Sequence, residues 1–230
     1  MGFSHYKKDI DVIQIVSDSY KSDVDEQEII VTCQAMQDMC LILCKVLRMR
    51  SSIFYNMGEE YARALSYVCP IHDIGKSKLP NDLITQPRSL SGKEYDQVKT
   101  HPRLGFEEFT KTCENSNSLL YNLACDIILY HHEKWDGTGY SMGLAGKAIP
   151  LPARIVAIID VYSALRTKRC YKEAYPHAAC CNIIREKSGT HFDPVIASSF
   201  AIAAPKINDI FVSSENMKQS VCRAYRQAFV

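Results

Sequence analysis

"SLLYNLACDIILYHHE" (residues 118–133) decides how the rest of the chain is read. Leu120, Leu123, Ala124, Ile127, Ile128 and His131 recur at three- and four-residue intervals, so they share one helix face and carry a histidine inward. A second histidine, His132, follows at once, and the chain then drops into "KWDGTGY" (134–140). Successive side chains on a helix point about 100° apart. Both rings converge on one object only if that object is central and large. A metal cluster meets that description.

The helical rhythm extends in both directions. Over residues 26–50, Ile29, Ile30, Cys33, Met36, Met39, Cys40, Leu43 and Leu47 keep 3.6-residue spacing through several turns. "GEEYARALSYVCPIHD" (58–73) reads as a second helix, bent near Pro70 because proline removes a backbone donor. In "SGKEYDQVKTHPRLGFEEF" (91–109), Ser91 caps a helix that runs to the region of Pro102, with another after it. "LPARIVAIIDVYSAL" (151–165) is apolar enough to be a buried helix. "AYPHAACCNIIREKSG" (174–189) is a helix that stops at Gly189. "FDPVIASSFAIAA" (192–204) starts one with an Asp193 cap and Pro194 in its first turn. Residues 137–150, with four glycines, form a loop with room for a hairpin at most. The expected fold class is all-α: a helical bundle carrying a glycine-rich loop, without internal repeats.

Bulk properties narrow the partners. With 230 residues, 47% apolar, 23% charged and a net charge of +1, the chain fits one sizeable globular domain. No global field draws it to a DNA or RNA duplex or to anionic lipid. The ten cysteines include no CxxC pair and mostly lie in apolar surroundings such as "MCLILCKVL" (39–47), which points to reduced thiols and a cytoplasmic location. "MGFSHYKKDIDV" (1–12) has no apolar leader, and Tyr6 stands where a myristoylation signal has Ser or Thr. No uncharged apolar run approaches the ~18 residues of a membrane span, so no membrane partner is expected.

The chemistry lies in His72-Asp73, His101, His131-His132 and Asp160. Asp160 interrupts an apolar helix, and a buried carboxylate needs a cation or strong donors to stay ionised. His72 and Asp73 likewise close an apolar helix. Imidazole and carboxylate without thiolate suit iron(II), manganese or a similar divalent ion. Asp73, as a carboxylate, is able to bridge two ions, and a pair about 3.5–4 Å apart clamps the oxygens of a phosphoryl displacement. Lys76, three residues on, lies on Asp73's side if the helix continues and would neutralise a phosphate oxygen.

"HDIGKSKLP" (72–80), "THPRLG" (100–105), "YHHEKWDGTGY" (130–140), "GLAGKAIPLPARIVAIIDVYSALRTKRCYKEAYP" (143–176) and "GTHFDP" (189–194) resemble, in order and spacing, the HD-GYP family of cyclic dinucleotide phosphodiesterases. The likeness runs from about residue 60 to 201 and implies an HD-type helical fold. It implies that His72, Asp73, His101, His131, His132 and Asp160 bind metal, with Asp73 bridging and Lys76 on a phosphate. Tyr140, Arg169 and Lys172 would hold the substrate. The implied cofactors are two divalent ions, iron or manganese first, or three. The implied substrate is cyclic di-GMP or 3',3'-cyclic GMP-AMP, cut to a linear dinucleotide or mononucleotides. Signalling proteins or a second copy of the chain are the implied protein partners.

The chain departs from that pattern in three places. Ser141 replaces the proline of the GYP triplet, which is expected to loosen the loop. Ser163 and Cys170 stand where the family has Asp and Pro. The family's upstream histidine ligand is missing, since no histidine lies between His5 and His72. The helix rhythm puts Thr32 in that place, with Glu28 one turn earlier as a substitute ligand, whereas a gap-free count points nearer Cys40. The alternative reading is therefore a degraded relative that binds the nucleotide or partner proteins as a sensor. Residues 1–50 are expected to complete the core or form a dimer contact, 51–212 to make the metallohydrolase core, and 213–230 a helical tail. His5, His177 and His191 take structural roles, with His177 exposed.

Overall fold

The computed structural model describes residues 10–19, 25–50, 54, 57–113, 118–168 and 173–228. Helices α1 (Val12–Ser19), α2 (Glu26–Arg50) and α3 (Glu59–Val68) lead into a 3₁₀ segment (Cys69–Lys78). Then follow α4 (Asn81–Thr85), α5 (Gly92–Val98), α6 (His101–Thr112) and α7 (Leu119–Tyr130). After a loop with one short 3₁₀ turn (Gly146–Ala148) come α8 (Leu151–Arg166), α9 (His177–Glu186) and α10 (Pro194–Ala228). Among the described residues no strand forms, so the hairpin allowed for in 137–150 is absent. Turns and three positive-φ glycines, Gly137, Gly143 and Gly146, occupy that stretch instead.

The core forms along α2. Its Cys33, Met36, Cys40, Leu43 and Leu47 are buried, and α10 lies against it more extensively than any other pair of helices. Leu65, Ile71, Ile127, Ile155, Ile158 and Ile159 close the core from α3, the 3₁₀ segment, α7 and α8. Each such side chain contributes about 1.5–3 kcal/mol by leaving water. By length and composition α2 and residues 194–220 of α10 are apolar enough to cross a membrane, but about half of each apolar window is buried within the protein. Both are read as core helices. Their apolar faces are satisfied by each other.

Pro70 does more than bend its helix. The α-helix stops at Val68, and the chain tightens into a ten-residue 3₁₀ helix with Pro70 in its first turn. Residues three apart eclipse one another in that geometry, which sets Lys76 directly over Asp73. Pro205 is tolerated inside α10, which the sequence reading followed only to Ala204. Ile207, Phe211 and Ser214 continue its buried face beyond the proline. The helix passes residue 213 without a break.

Two glycines set the depth of the 3₁₀ segment. A Cβ on Gly75 would collide with the His101 carbonyl and the Gly105 backbone, and one on Gly105 would press on Gly75 N at 2.9 Å. The two backbones therefore touch, and this contact draws His101 toward Asp73. Gly75→Ala is expected to lower unfolding free energy by about 3 kcal/mol, as overpacking against rigid backbone does. Gly58→Ala, whose added Cβ meets nothing within 4 Å, serves as the control. Denaturant midpoints that coincide for the two variants would contradict the contact.

Candidate metal centre

Three histidines stand just past helix C-termini, where the last carbonyls have no partner within the helix. His72 follows α3, and its Nδ1 lies 3.1 Å from the carbonyl of Cys69, the C-cap. His101 follows α5, with Nδ1 2.8 Å from the Val98 carbonyl. His131 caps α7, with Nδ1 2.9 Å from the Ile127 carbonyl and 3.2 Å from that of Ile128. A ring nitrogen that donates to a carbonyl must carry a proton, so Nε2 is the atom left to face outward, as a metal ligand would. The C-terminal end of α7 also lies here, and its dipole favours a cation.

Asp73 lies at their focus. Its Oδ1 is 3.1 Å from His101 Nε2 and 3.6 Å from His131 Nε2, and its Oδ2 is 3.3 Å from His72 Nε2. His72 Nε2 is also 3.5 Å from Asp160 Oδ1. Ligand atoms of Asp73, His101, His131 and His132 form one set within 4.8 Å of one another, and those of His72, Asp73 and Asp160 form a second. Asp73 belongs to both. Of the sequence-predicted ligands, Glu28 is exposed on α2 and stands in neither set.

The donors fit a divalent ion. Asp73 Oδ1 is buried without a hydrogen-bond partner. Facing Nε2 lone pairs, it is repelled unless a cation lies among them. His101 Nε2 and His131 Nε2, 3.3 Å apart, pose the same requirement. Burial drives His132 down to about 2, helped by the charge of His131, so its ring is neutral and available. His72 behaves differently. Burial alone would depress it, but the carboxylates of Asp73 and Asp160 outweigh burial and push it up to about 10. A proton on His72 there supplies the positive charge that a metal ion would otherwise bring. Burial would raise Asp73, but Lys76 and His72 hold it well below the usual carboxylate range. Lys76 Nζ contacts Asp73 Oδ2 at 2.5 Å.

The paired histidines converge because the helix ends between them. His131 is the C-cap of α7, the chain turns there, and the two ring centroids lie 4.1 Å apart. The loop beyond is fixed by a residue the sequence reading passed over. Glu133, only 2% exposed, accepts backbone N–H groups of Ser141 (3.0 Å), Met142 (2.5 Å) and Gly143 (3.0 Å) through Oε1, and Leu144 (3.1 Å) through Oε2. Its signal was an acidic residue embedded in a His-rich, glycine-rich stretch. Ser141 corrects an expectation. Its N–H bonds Glu133, and its Oγ donates to the Leu129 carbonyl at 2.9 Å. A proline has neither donor, so the serine pins the loop rather than loosening it. Gly139 approaches the backbone of residues 132–134 so closely that any Cβ would clash. Tyr140 N donates to the His132 carbonyl at 3.2 Å, and its ring lies 4.7 Å from that of His132.

The remaining positions sort as follows. Arg169, Lys172 and Cys170 lie outside the described residues, as does His5. Thr32 lines a cleft with His72, Asp73 and Lys76, whereas Cys40 is fully buried in the core. His177 is half-buried rather than exposed, with Nδ1 3.0 Å from Tyr162 Oη. His191 orders its turn through its carbonyl, which accepts from Trp135 N at 3.1 Å, while its ring stacks on Phe192. Asp193 caps α10 as expected, donors being Val195 N and Ile196 N, and pairs with Arg154 at 2.7 Å. Among the described residues no disulfide forms, and burial pushes Cys33 up to about 12, far from a reactive thiolate.

Comparison with known proteins gives a consistent set of relatives. Residues 25–196 match the HD domain family. A cyclic di-GMP phosphodiesterase of Vibrio cholerae is 40% identical over 65% of this chain and 31% of its own length. A cyclic di-GMP phosphodiesterase of Thermotoga maritima is 32% identical over 67% of the chain and 41% of its own. A 3'3'-cGAMP-specific phosphodiesterase of Vibrio cholerae is 34% identical over 63% and 27%. The chain thus spans well under half the length of these curated relatives. The structure of an HDG"Y"P protein from Bdellovibrio bacteriovorus shares the fold, with a TM-score of 0.51 and 17% identity over 72% of this chain and 50% of that one.

Two predictions follow the geometry. Metal analysis after dialysis should find both ion sites lost in Asp73→Ala but only one lost in Asp160→Ala or His132→Ala. Equal stoichiometry in all three would remove Asp73 from its shared position. Glu133→Ala leaves the amides of 141–144 without their acceptor, at about 1–3 kcal/mol for an unsatisfied buried group. Their hydrogen exchange should quicken by about tenfold or more, while α8 amides keep their protection.

Proposed function

The chain belongs to the HD domain family, and on that footing we propose that it is a metal-dependent phosphodiesterase acting on a cyclic dinucleotide, cyclic di-GMP or 3',3'-cyclic GMP-AMP. The observation that carries the reading is the pair of ligand sets sharing Asp73. The printed activities of the curated relatives supply the substrate class. We assign the sets to two divalent ions, iron or manganese. When bound, such ions supply Lewis acidity and charge neutralisation at a phosphodiester.

The chain's own residues then divide the work. Three imidazoles fixed through Nδ1 to backbone carbonyls keep their Nε2 atoms aimed, so little reorganisation is needed when the substrate arrives. Lys76, held on Asp73 at the edge of the cleft, offers its ammonium to a non-bridging phosphate oxygen. Glu133 fixes the 141–144 loop, and Gly139 fits Tyr140 against His132 on the other side of the centre. Arg169 and Lys172 are assigned to the substrate's phosphates on the strength of the motif resemblance. Free thiols throughout the described residues suit a reducing, cytoplasmic setting.

One observation favours the sensor reading. The His72–Asp73–Asp160 set has three ligands, and Thr32, with no imidazole to add, shares the cleft beside it. Purification without oxygen, addition of iron or manganese, and incubation with each cyclic dinucleotide separates the two. Linear dinucleotide or mononucleotide products establish the enzyme. Uptake without cleavage establishes the sensor. Asp73→Ala should abolish metal loading and hydrolysis together, and Lys172→Ala should raise KM more than it lowers kcat. Turnover by Asp73→Ala at the wild-type rate would overturn the assignment.

A further inference from the structure

A cleft of about 760 Å³ opens from the side of the centre formed by His72, Asp73 and Lys76. Residues of α2 line it, and Tyr140 does not. Ile29, Thr32, Cys33 and Met36 face it at intervals of three, one and three residues, a single helix stripe. Leu83 and Ile84 of α4 line the same cleft, and Ile84 is 41% exposed, a large apolar side chain left on the surface. Past α4 the wall turns polar at Gln86, whose Nε2 donates to the Leu83 carbonyl at 3.2 Å. That bond fixes the amide and leaves its oxygen to accept from a ligand.

Apolar side chains from two helices, a fixed amide and the His72–Asp73–Lys76 group in the lining of one cleft suit a flat heteroaromatic ring joined to a phosphate. A single phosphate ester would engage only that group. We propose that the slot between α2 and α4 receives one purine base of the cyclic dinucleotide, between Met36 and Ile84, with Gln86 bonding the base edge. The two halves of the substrate then meet unlike surroundings: one base lies in this slot, and the other lies on the Tyr140 side. Base preference is set in the slot. This inference deepens the proposed function and rests on it.

The test compares two substrates on the metal-loaded full chain. Cyclic dinucleotides require both the centre and the slot, whereas bis(p-nitrophenyl) phosphate requires the centre alone. Ile84→Asp places a charge in the slot at a half-exposed position, so the fold should tolerate it. It should raise KM for cyclic di-GMP by about tenfold or more, and the ratio of dinucleotide to small-diester kcat/KM should fall by about the same factor. Gln86→Leu should change the preference between cyclic di-GMP and 3',3'-cyclic GMP-AMP by about threefold or more. If the protein binds without cleaving, the same shifts are read in Kd.

Proportional loss on both substrates, or no change on either, by Ile84→Asp in a protein that processes cyclic dinucleotides would overturn the slot and leave the proposed function standing. An unchanged preference in Gln86→Leu would remove the amide's role in reading the base. Wild-type protein that cleaves the small diester but neither binds nor cleaves any cyclic dinucleotide would overturn the proposed function, and the slot assignment with it.

Discussion

A histidine placed immediately after a helix solves two problems at once. The helix has carbonyls to satisfy, and the ring has a proton to direct. At His72, His101 and His131 the Nδ1–H satisfies the carbonyl, and Nε2 is left aimed at Asp73. Everything else at the centre depends on that repeated arrangement. The three helices must end where they do, the 3₁₀ segment must carry Asp73 to the focus, and the Gly75–Gly105 contact must hold α6 against it. The result is an arrangement of ring nitrogens and carboxylate oxygens that calls for positive charge, which Lys76 and the proton on His72 supply here. The apolar core around it holds that arrangement in place.

The all-α fold was legible because its buried stripes are long and regular. The face read from "SLLYNLACDIILYHHE" is buried residue for residue, and α8 is as enclosed as its composition implied. The six histidine and aspartate positions were legible for a related reason: charged or ligating groups ended or interrupted apolar faces, where burial needs an explanation. Less legible were features that depend on backbone meeting backbone. Nothing in the spacing of Gly75 and Gly105 reveals that they touch across 29 intervening residues of chain. The 3₁₀ form of 69–78 was likewise hidden, because Pro70 signals a break without saying what replaces the α-helix.

Glu133 and Ser141 show a subtler gap. Both were in plain view, one within a motif and the other as its exception. Judged by φ alone, losing proline at 141 reads as a loss of stiffness. Judged by donors, the substitution adds two hydrogen bonds, one of them to the carboxylate that organises the whole loop. The structure decides between these accounts because it shows where the N–H goes. Thr32 is the complementary case. Its helix register was readable from apolar rhythm, and its place on the cleft wall follows from that register, but its consequence for ion binding depends on distances that rhythm does not contain.

The longest element has a mechanical consequence. At 1.5 Å per residue, α10 is a rod about 52 Å in length, and its first turn is clamped by the Asp193–Arg154 pair. Immediately before that turn, the carbonyls of Thr190 and His191 accept from the amides of Asp136 and Trp135, four and three residues beyond His132 respectively. The anchored end of the rod is thereby tied by hydrogen bonds to the stretch that follows the second of the paired rings.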